Sequence, residues 1–287
     1  MANRLLRRIA EEVLGEEKAR LIWSRLDIVG DIAILKRPLT DSITVSDLAR
    51  VAEELVRRLP YIKSVWLAES PVEGPYKTRR FTHLAGEERS ETVYVEHGCR
   101  FKVDIRRVFI TPRLNYEHLR IAKLVSSGEV VVNMFAGAGL FSIIIACKSK
   151  PRKVYSIDIN PDAYRYMVEN IELNKVGDTV IPILGDAAKV IVKELGGVAD
   201  RVLMPLPELA LDYLPYAVRA LRGKGVIHVY LHVSTPKGTD PLKTSEQLVR
   251  DRLRELGVRH VVLGSRKVRP VAPRTMQTVV DVVVESD

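Results

Sequence analysis

The segment Val130-Val131-Val132-Asn133-Met134-Phe135-Ala136-Gly137-Ala138-Gly139 constrains the fold more than any other part of the chain. An apolar, β-branched strand runs into a turn with glycines at 137 and 139, and a helix follows. Glycine there lets the backbone approach a ligand at the carboxyl end of a parallel strand, although a Gly-x-Gly alone also suits an ordinary tight turn. The downstream spacing adds to it. Asp158 closes the apolar run Val154-Tyr155-Ser156-Ile157 about 20 residues on, where a carboxylate at the tip of the second strand meets ribose hydroxyls. Asn160-Pro161 then opens a helix, and Gly185-Asp186 closes a third strand. Asp186 is placed either to meet an adenine amine or to cap the helix behind it.

Around this anchor, strands at 130–135, 153–158, 179–184, 200–204 and 225–231 alternate with helices near 139–148, 161–174, 187–195 and 208–222. Such alternation predicts parallel strands with crossover helices on both faces. A helix over 244–256 and strands near 258–264 and 276–284 follow. Upstream the pattern differs. A helix over 3–25 breaks near Gly15, and a strand at 31–35 precedes a helix over 46–59 with Ser46 as N-cap and Pro60 as stop. A strand at 64–68, a turn-rich stretch at 70–80 and a hairpin of 92–96 with 100–105 across His97-Gly98 complete it. The expected fold class is α/β: a Rossmann-like domain over 109–287, preceded by a smaller α+β domain over 1–108.

The third glycine of a dinucleotide site is missing, and no Gly-Lys-Ser/Thr cradles a triphosphate. What remains is adenine-nucleoside logic without a phosphate. S-adenosyl-L-methionine has none, so a class I methyltransferase fold fits better than a dehydrogenase. The excess of 45 Lys and Arg over 36 Asp and Glu suits a polyanionic partner, or a general solubility device. No apolar run reaches the roughly 20 residues of a membrane helix, and no apolar run follows the arginines at the N-terminus, so neither a membrane nor secretion is indicated and a cytoplasmic protein is expected. Cys99 and Cys147 lack metal-ligand neighbours and read as small buried hydrophobes, and no metal is expected.

Six segments in order resemble the archaeal and eukaryotic tRNA (guanine-N1)-methyltransferases. They are Thr111–Leu114, Asn133–Gly139, Ile157–Pro161, Glu169–Lys175, Asp200–Pro207 and Ala272–Arg274. The resemblance covers roughly residues 70–287. It implies a monomeric enzyme that binds S-adenosyl-L-methionine and the anticodon stem-loop of tRNA, and that modifies the guanosine at position 37, beside the anticodon. Members usually carry a further N-terminal domain, and the stretch upstream of residue 70 is too short to hold it together with the linking domain. Cofactor contacts then fall on Phe109, Arg113, Phe135, Ala136, Gly137, Gly139, Asp158, Ile159, Asn160, Asp186, Ala187, Pro205 and Leu206.

The reaction itself sets requirements. A sulfonium methyl is already activated, so the enzyme mainly prepares the nucleophile. Guanine N1 carries a proton, and its loss spreads negative charge toward O6, so a base near N1 and a donor near O6 are needed. Glu117 matches the family's glutamate and is the candidate base; a surface glutamate favouring the helix dipole is the plainer reading. Arg113, expected at a strand end, suits the cofactor carboxylate or the RNA backbone. The run Tyr76-Lys77-Thr78-Arg79-Arg80 matches the loop that presents a cation to the target base, with Lys77 where arginine is usual and so without a planar fork. Lys77, Arg79 and Arg80 are the RNA-binding candidates. Further grips are Arg4, Arg7 and Arg8 and the surface run Arg266-Lys267-Val268-Arg269.

Two departures bear on substrate choice. Pro205 stands where the family has asparagine and offers no side-chain amide or N–H. Asn133 replaces a frequent aspartate. A sister family in wyosine synthesis moves the aminocarboxypropyl group of the same cofactor, and a methylating enzyme of the tricyclic wyosine precursor is related. A non-catalytic RNA-binding module with a degenerate cofactor pocket is the alternative from another class, and an NAD-dependent oxidoreductase is disfavoured by the missing glycine.

Overall fold

The computed structural model describes residues 2–23 and 25–285, with side chains from Leu5 onward, so the Arg4 side chain lies outside the described residues. The chain forms two units, Met1–Pro112 and Arg113–Asp287.

In the first unit, the helix expected over 3–25 is two: α1 (Ala2–Leu14) and α2 (Glu16–Leu21), separated at Gly15 with φ +80. Then come β1 (Asp27–Val29), β2 (Ile32–Lys36), α3 (Val45–Arg58), β3 (Ser64–Ala68), β4 (Phe81–Gly86), β5 (Glu91–Glu96) and β6 (Cys99–Asp104). The N-cap of α3 is Thr44, not Ser46. Its hydroxyl accepts from Asp47 N at 3.1 Å, and the Asp47 carboxylate accepts from Thr44 N at 3.1 Å, closing a capping box. The sheet runs β1-β2-β3-β4, parallel only between β2 and β3. Apolar stripes of α1 (Leu6, Ile9) and α3 (Leu48, Val51, Leu55) form one core with Leu35, Val65 and Leu67. β5 and β6 form the expected hairpin, and His97 and Gly98 both have positive φ, as its two-residue turn requires.

The second unit starts with α4 (Asn115–Leu124) and β7 (Val130–Asn133). Next come α5 (Leu140–Lys148), β8 (Lys153–Asp158), α6 (Pro161–Leu173), β9 (Val180–Leu184) and α7 (Ala187–Val190). The helix expected over 187–195 changes to a π turn from Ile191 to Leu195. β10 (Ala199–Met204), α8 (Ala210–Ala220), β11 (Leu221–Ser234), α9 (Pro241–Glu255), β12 (Arg259–Ala272) and β13 (Thr275–Glu285) complete it. The sheet order is β12-β13-β11-β10-β7-β8-β9. The five strands from β11 to β9 are parallel, and β13 lies antiparallel between β11 and β12. The central strands are buried on both faces, as at Val132, Val202, Ile227 and Val282, which is why they read as continuous apolar runs. The chain leaves β7 toward β8 on one side, while β10 lies on the other. This reversal of strand order marks the carboxyl ends of β7 and β10 as the place where open α/β sheets bind ligands.

Candidate active site

The turn behind β7 is braced by atoms from three neighbours. Gly137 has φ +56 and Gly139 has φ +92. A Cβ on Gly139 would stand 3.1 Å from both Ile143 and Met167, whereas one on Gly137 would meet nothing within 4 Å. Gly139 is therefore demanded by packing and backbone. Gly137 stands open to a ligand, as a cofactor lying against bare backbone needs. Asn133 is fully buried; its Nδ2 donates to Ser142 Oγ at 3.1 Å, and its Oδ1 accepts from Phe135 N at 3.3 Å. An amide supplies both a donor and an acceptor there, which aspartate does not. Asn170, which sequence reasoning did not single out, donates to Ala138 O at 3.1 Å. Its only signal was its place in the segment 169–175.

Asp158 ties the second strand to this turn. Its Oδ2 accepts from Gly137 N at 2.6 Å and its Oδ1 from Asn160 N at 2.9 Å. Burial raises its pKa, and these backbone donors oppose the rise. The backbone of Ile159 donates to the same carboxylate, and of its roughly four acceptor sites one is left for a ribose hydroxyl. Asn160 caps α6 through Asp162 N at 3.0 Å. Asp186 caps α7 by accepting from Lys189 N at 3.1 Å, and accepts from the Tyr213 hydroxyl at 2.9 Å. Burial and then Asp186 push the Tyr213 phenol up to about 12, so it stays a neutral donor. The Tyr213 ring meets Phe135 at 5.4 Å. Sequence reasoning missed Tyr213, because nothing local links α8 to the end of β9. Half-exposed Ile159 and Leu184 follow and end the neighbouring strands β8 and β9. Apolar side chains beside two carboxylates suit a purine nucleoside.

Glu117 is not a surface glutamate. It lies in the first turn of α4 and is only 2% exposed. Its Oε2 accepts from Arg120 Nε at 2.9 Å and from the Tyr230 hydroxyl at 3.1 Å. Arg120 reaches on to Asp281 at 2.6 Å. Asp281 Oδ1 lies 2.6 Å from His228 Nδ1, and Arg201 Nη1 lies 2.8 Å from His228 Nε2. Arginine only donates, so Nε2 is the acceptor and the His228 proton sits on Nδ1, toward Asp281. Burial lowers the His228 pKa, consistent with a neutral ring. Burial works against the charge of Asp281, but its hydrogen bonds to His228 and Arg120 outweigh it and hold that carboxyl at about 2. Arg201 ends the chain on Glu129 at 2.7 Å. This buried network fixes Glu117 behind the glycine turn, since His118 of α4 packs edge-on against Phe141 of α5, with ring centroids 4.3 Å apart.

A family model described as the TRM5/TYW2 methyltransferase domain matches residues 92–255, and one described as the TYW2 N-terminal domain matches residues 6–89. The chain belongs to the TRM5/TYW2 methyltransferase family. It is 44% identical to tRNA 4-demethylwyosine(37)-methyltransferase Taw21 of Saccharolobus solfataricus, over 91% of this chain and 94% of that protein. It is 39% identical to tRNA (guanine(37)-N(1))-methyltransferase Trm5b of Pyrococcus abyssi, over 93% of this chain and 76% of the relative. A solved complex of aTrm5 with tRNALeu superposes with a TM-score of 0.82 at 35% identity, covering 98% of this chain and 78% of that one. TYW2 of M. jannaschii, solved with AdoMet, gives a TM-score of 0.68 at 29% identity, covering 92% and 100%. The family's cofactor is S-adenosylmethionine, and the open Gly137 turn with Asp158 beside it fits that group. The likeness reaches upstream of residue 70, where the sequence segments had not placed it.

The remaining expected residues of this family member fall as follows. Ala136 is buried, its N–H donating to Ile157 O at 2.8 Å, and Ala187 is buried in the first turn of α7. Pro205 and Leu206 leave β10, where Leu203 pairs with Asn133. Leu206 O accepts from Leu209 N at 3.2 Å. Arg113 sits in a 3-10 turn, Pro112–Leu114, and not at a strand end. Lys77, Arg79, Arg80 and Phe109 belong to the first unit. There Lys77 holds φ +54 in a tight turn closed by Glu73 N donating to Thr78 O at 2.9 Å, and Arg80 stands 3.5 Å from Glu73. Arg7 and Arg8 pair with Glu11 and Glu12 along α1, which offsets the basic face expected there. In the expected surface run, Arg266 turns toward Glu117 and Arg269 donates to Gln277 at 2.6 Å. Cys99 is buried as expected, but Cys147 is exposed at the end of α5. The seventh, antiparallel strand between β11 and β12, together with family membership, removes the oxidoreductase reading.

Proposed function

We propose that this chain transfers a methyl group from S-adenosylmethionine to the base at position 37 of tRNA, with N1 of guanosine as acceptor. The observation that carries the reading is the buried, braced carboxylate of Glu117 on the helix packed behind the glycine turn. Gly137, Asp158, Ile159 and Asp186 would hold the nucleoside part of the cofactor. When bound, that cofactor supplies a methyl already activated on a sulfonium. The protein's task is then to remove a proton. Glu117 would take it from N1, leaving the nitrogen lone pair free to accept that methyl. Arg120 and Tyr230 hold the Oε2 edge of the carboxylate, which keeps the other edge aimed.

A second reading, methylation of 4-demethylwyosine at the same position, has specific support. The chain matches nearly the whole length of the 4-demethylwyosine relative and the N-terminal model of the TYW2 branch, and Pro205 removes the amide usual in the guanosine-methylating pattern. Aminocarboxypropyl transfer would leave a larger adduct. The test is transfer of labelled methyl to full-length tRNA transcripts carrying guanosine or adenosine at position 37. Incorporation that depends on guanosine 37 supports the reading. Incorporation indifferent to that nucleotide sinks it.

A further inference from the structure

Two buried polar atoms face each other without a hydrogen bond. Glu117 Oε1 and Arg266 Nε are 3.1 Å apart, yet neither finds a partner of acceptable geometry. Buried orphans of this kind are rare and call for an explanation. Every other polar contact of Glu117 goes through Oε2, so Oε1 is its one uncommitted oxygen among the described contacts. Arg266 covers that oxygen. Its side chain comes from β12, an edge strand, and its guanidinium lies over the exposed Tyr116 ring at 4.6 Å from the centroid. The ladder between β12 and β13 slips on either side of Arg266, between Val262 and Gly264 and between Lys267 and Arg269. Such slips re-aim side chains and loosen pairing. The Arg266 side chain is 35% exposed against 3% for Glu117. The arginine is thus the part of the pair with room to move.

We propose that Arg266 is a partner-switching cation of this site. In the free chain it masks Glu117 Oε1. When the acceptor base enters, the guanidinium leaves Oε1 and donates to the carbonyl oxygen beside the proton-bearing nitrogen. A lactam edge, N–H next to C=O, matches an adjacent acceptor and donor such as Oε1 and the Arg266 N–H groups. The proton passes from that nitrogen to Oε1, which removes the carboxylate charge that held Arg266. The negative charge now on the base oxygen then becomes its partner until the methyl is attached. The inference rests on the reading that Glu117 is the base.

The groups facing this pair are Arg120 and Tyr116 of α4, Tyr230 of β11 and, through Arg120, Asp281 of β13. The test uses the full chain, S-adenosylmethionine and tRNA transcript with guanosine 37. Arg266→Ala is expected to slow single-turnover methyl transfer at saturating tRNA about a hundredfold or more, the loss usual for one oxyanion-hole donor. Cofactor affinity should stay within about twofold, and Arg266→Lys should recover part of the rate. A full rate in Arg266→Ala overturns the proposal, and so does a loss wholly in KM for tRNA, the mark of a phosphate contact. The second measurement is NMR of 15N-arginine protein. The Arg266 Nε–H resonance is expected to move when tRNA is added, and to move without tRNA in Glu117→Gln. A resonance unmoved by bound tRNA also overturns the switch. A moved resonance with no methyl on guanosine would remove the reaction reading and leave the switch standing.

Discussion

Gly137 and Gly139 share a left-handed backbone but differ in what surrounds them, and the difference separates stability from binding. Alanine at 139 adds backbone strain to a Cβ 3.1 Å from Ile143 and Met167, so Gly139→Ala is expected to cost about 2 kcal/mol or more. Alanine at 137 carries the strain alone, about 1 kcal/mol, but places a methyl where the cofactor would lie. Thermal unfolding and cofactor titration on the two variants check this; equal effects on both quantities would contradict it. Asp158→Ala removes the acceptor for Gly137 N and should weaken cofactor binding more than tenfold, measured by calorimetry. His228 gives a pH dependence. Its pKa is lowered on folding, so the unfolded chain binds the proton more readily. The stability it contributes is whole above about pH 6.5 and declines as pH falls below that value. Asp281, held at about 2, contributes stability present above roughly pH 3.9 that is lost as pH falls toward 2. The melting temperature should therefore hold from pH 8 to 7 and drop below 6.5, with the first part of the drop absent in His228→Gln. A melting temperature flat to pH 5 would refute the neutral-histidine assignment.

At the scale of elements, patterns carried by one segment were legible and those needing a distant partner were not. The glycine turn, the carboxylate ending β8, the one capping α7 after β9, and the His97-Gly98 hairpin are local, and each is legible from its own segment. β1 and β4 escaped because three residues and a sheet-edge strand of intermediate burial carry little alternation. Ser46 and Thr44 are both good caps, and only Asp47 three residues on decides for Thr44. Thr44→Ala should therefore cost about 1 kcal/mol of stability, while Ser46→Ala should cost almost nothing; denaturant unfolding of the two variants distinguishes them. Glu117 was recognised by resemblance alone. Its burial depends on Arg120, Tyr230 and Arg266, which come from three different elements. Tyr213 and Asn170 stayed hidden for the same reason.

Across the whole molecule, strand order settles what alternation could only suggest. A parallel sheet followed from the βα pattern. A class I methyltransferase fold was expected from the glycine turn and the acidic strand ends, but the insertion of antiparallel β13 between β11 and β12 needed the tertiary structure. The first unit and its basic loop at 76–80 complete the chain that the family models match, over residues 6–89 and 92–255. The central claim is that the buried carboxylate of the second unit serves methyl transfer to the base at position 37. Its most direct test is mass spectrometry of nucleosides after incubating the protein and S-adenosylmethionine with tRNA carrying either guanosine or 4-demethylwyosine at that position. A gain of one methyl on guanosine 37 is expected with the wild-type chain, and loss of most of that product with Glu117→Gln while cofactor binding persists. Methyl gained only on 4-demethylwyosine would move the acceptor to the second reading. An aminocarboxypropyl adduct, or full methylation by Glu117→Gln, would contradict the account.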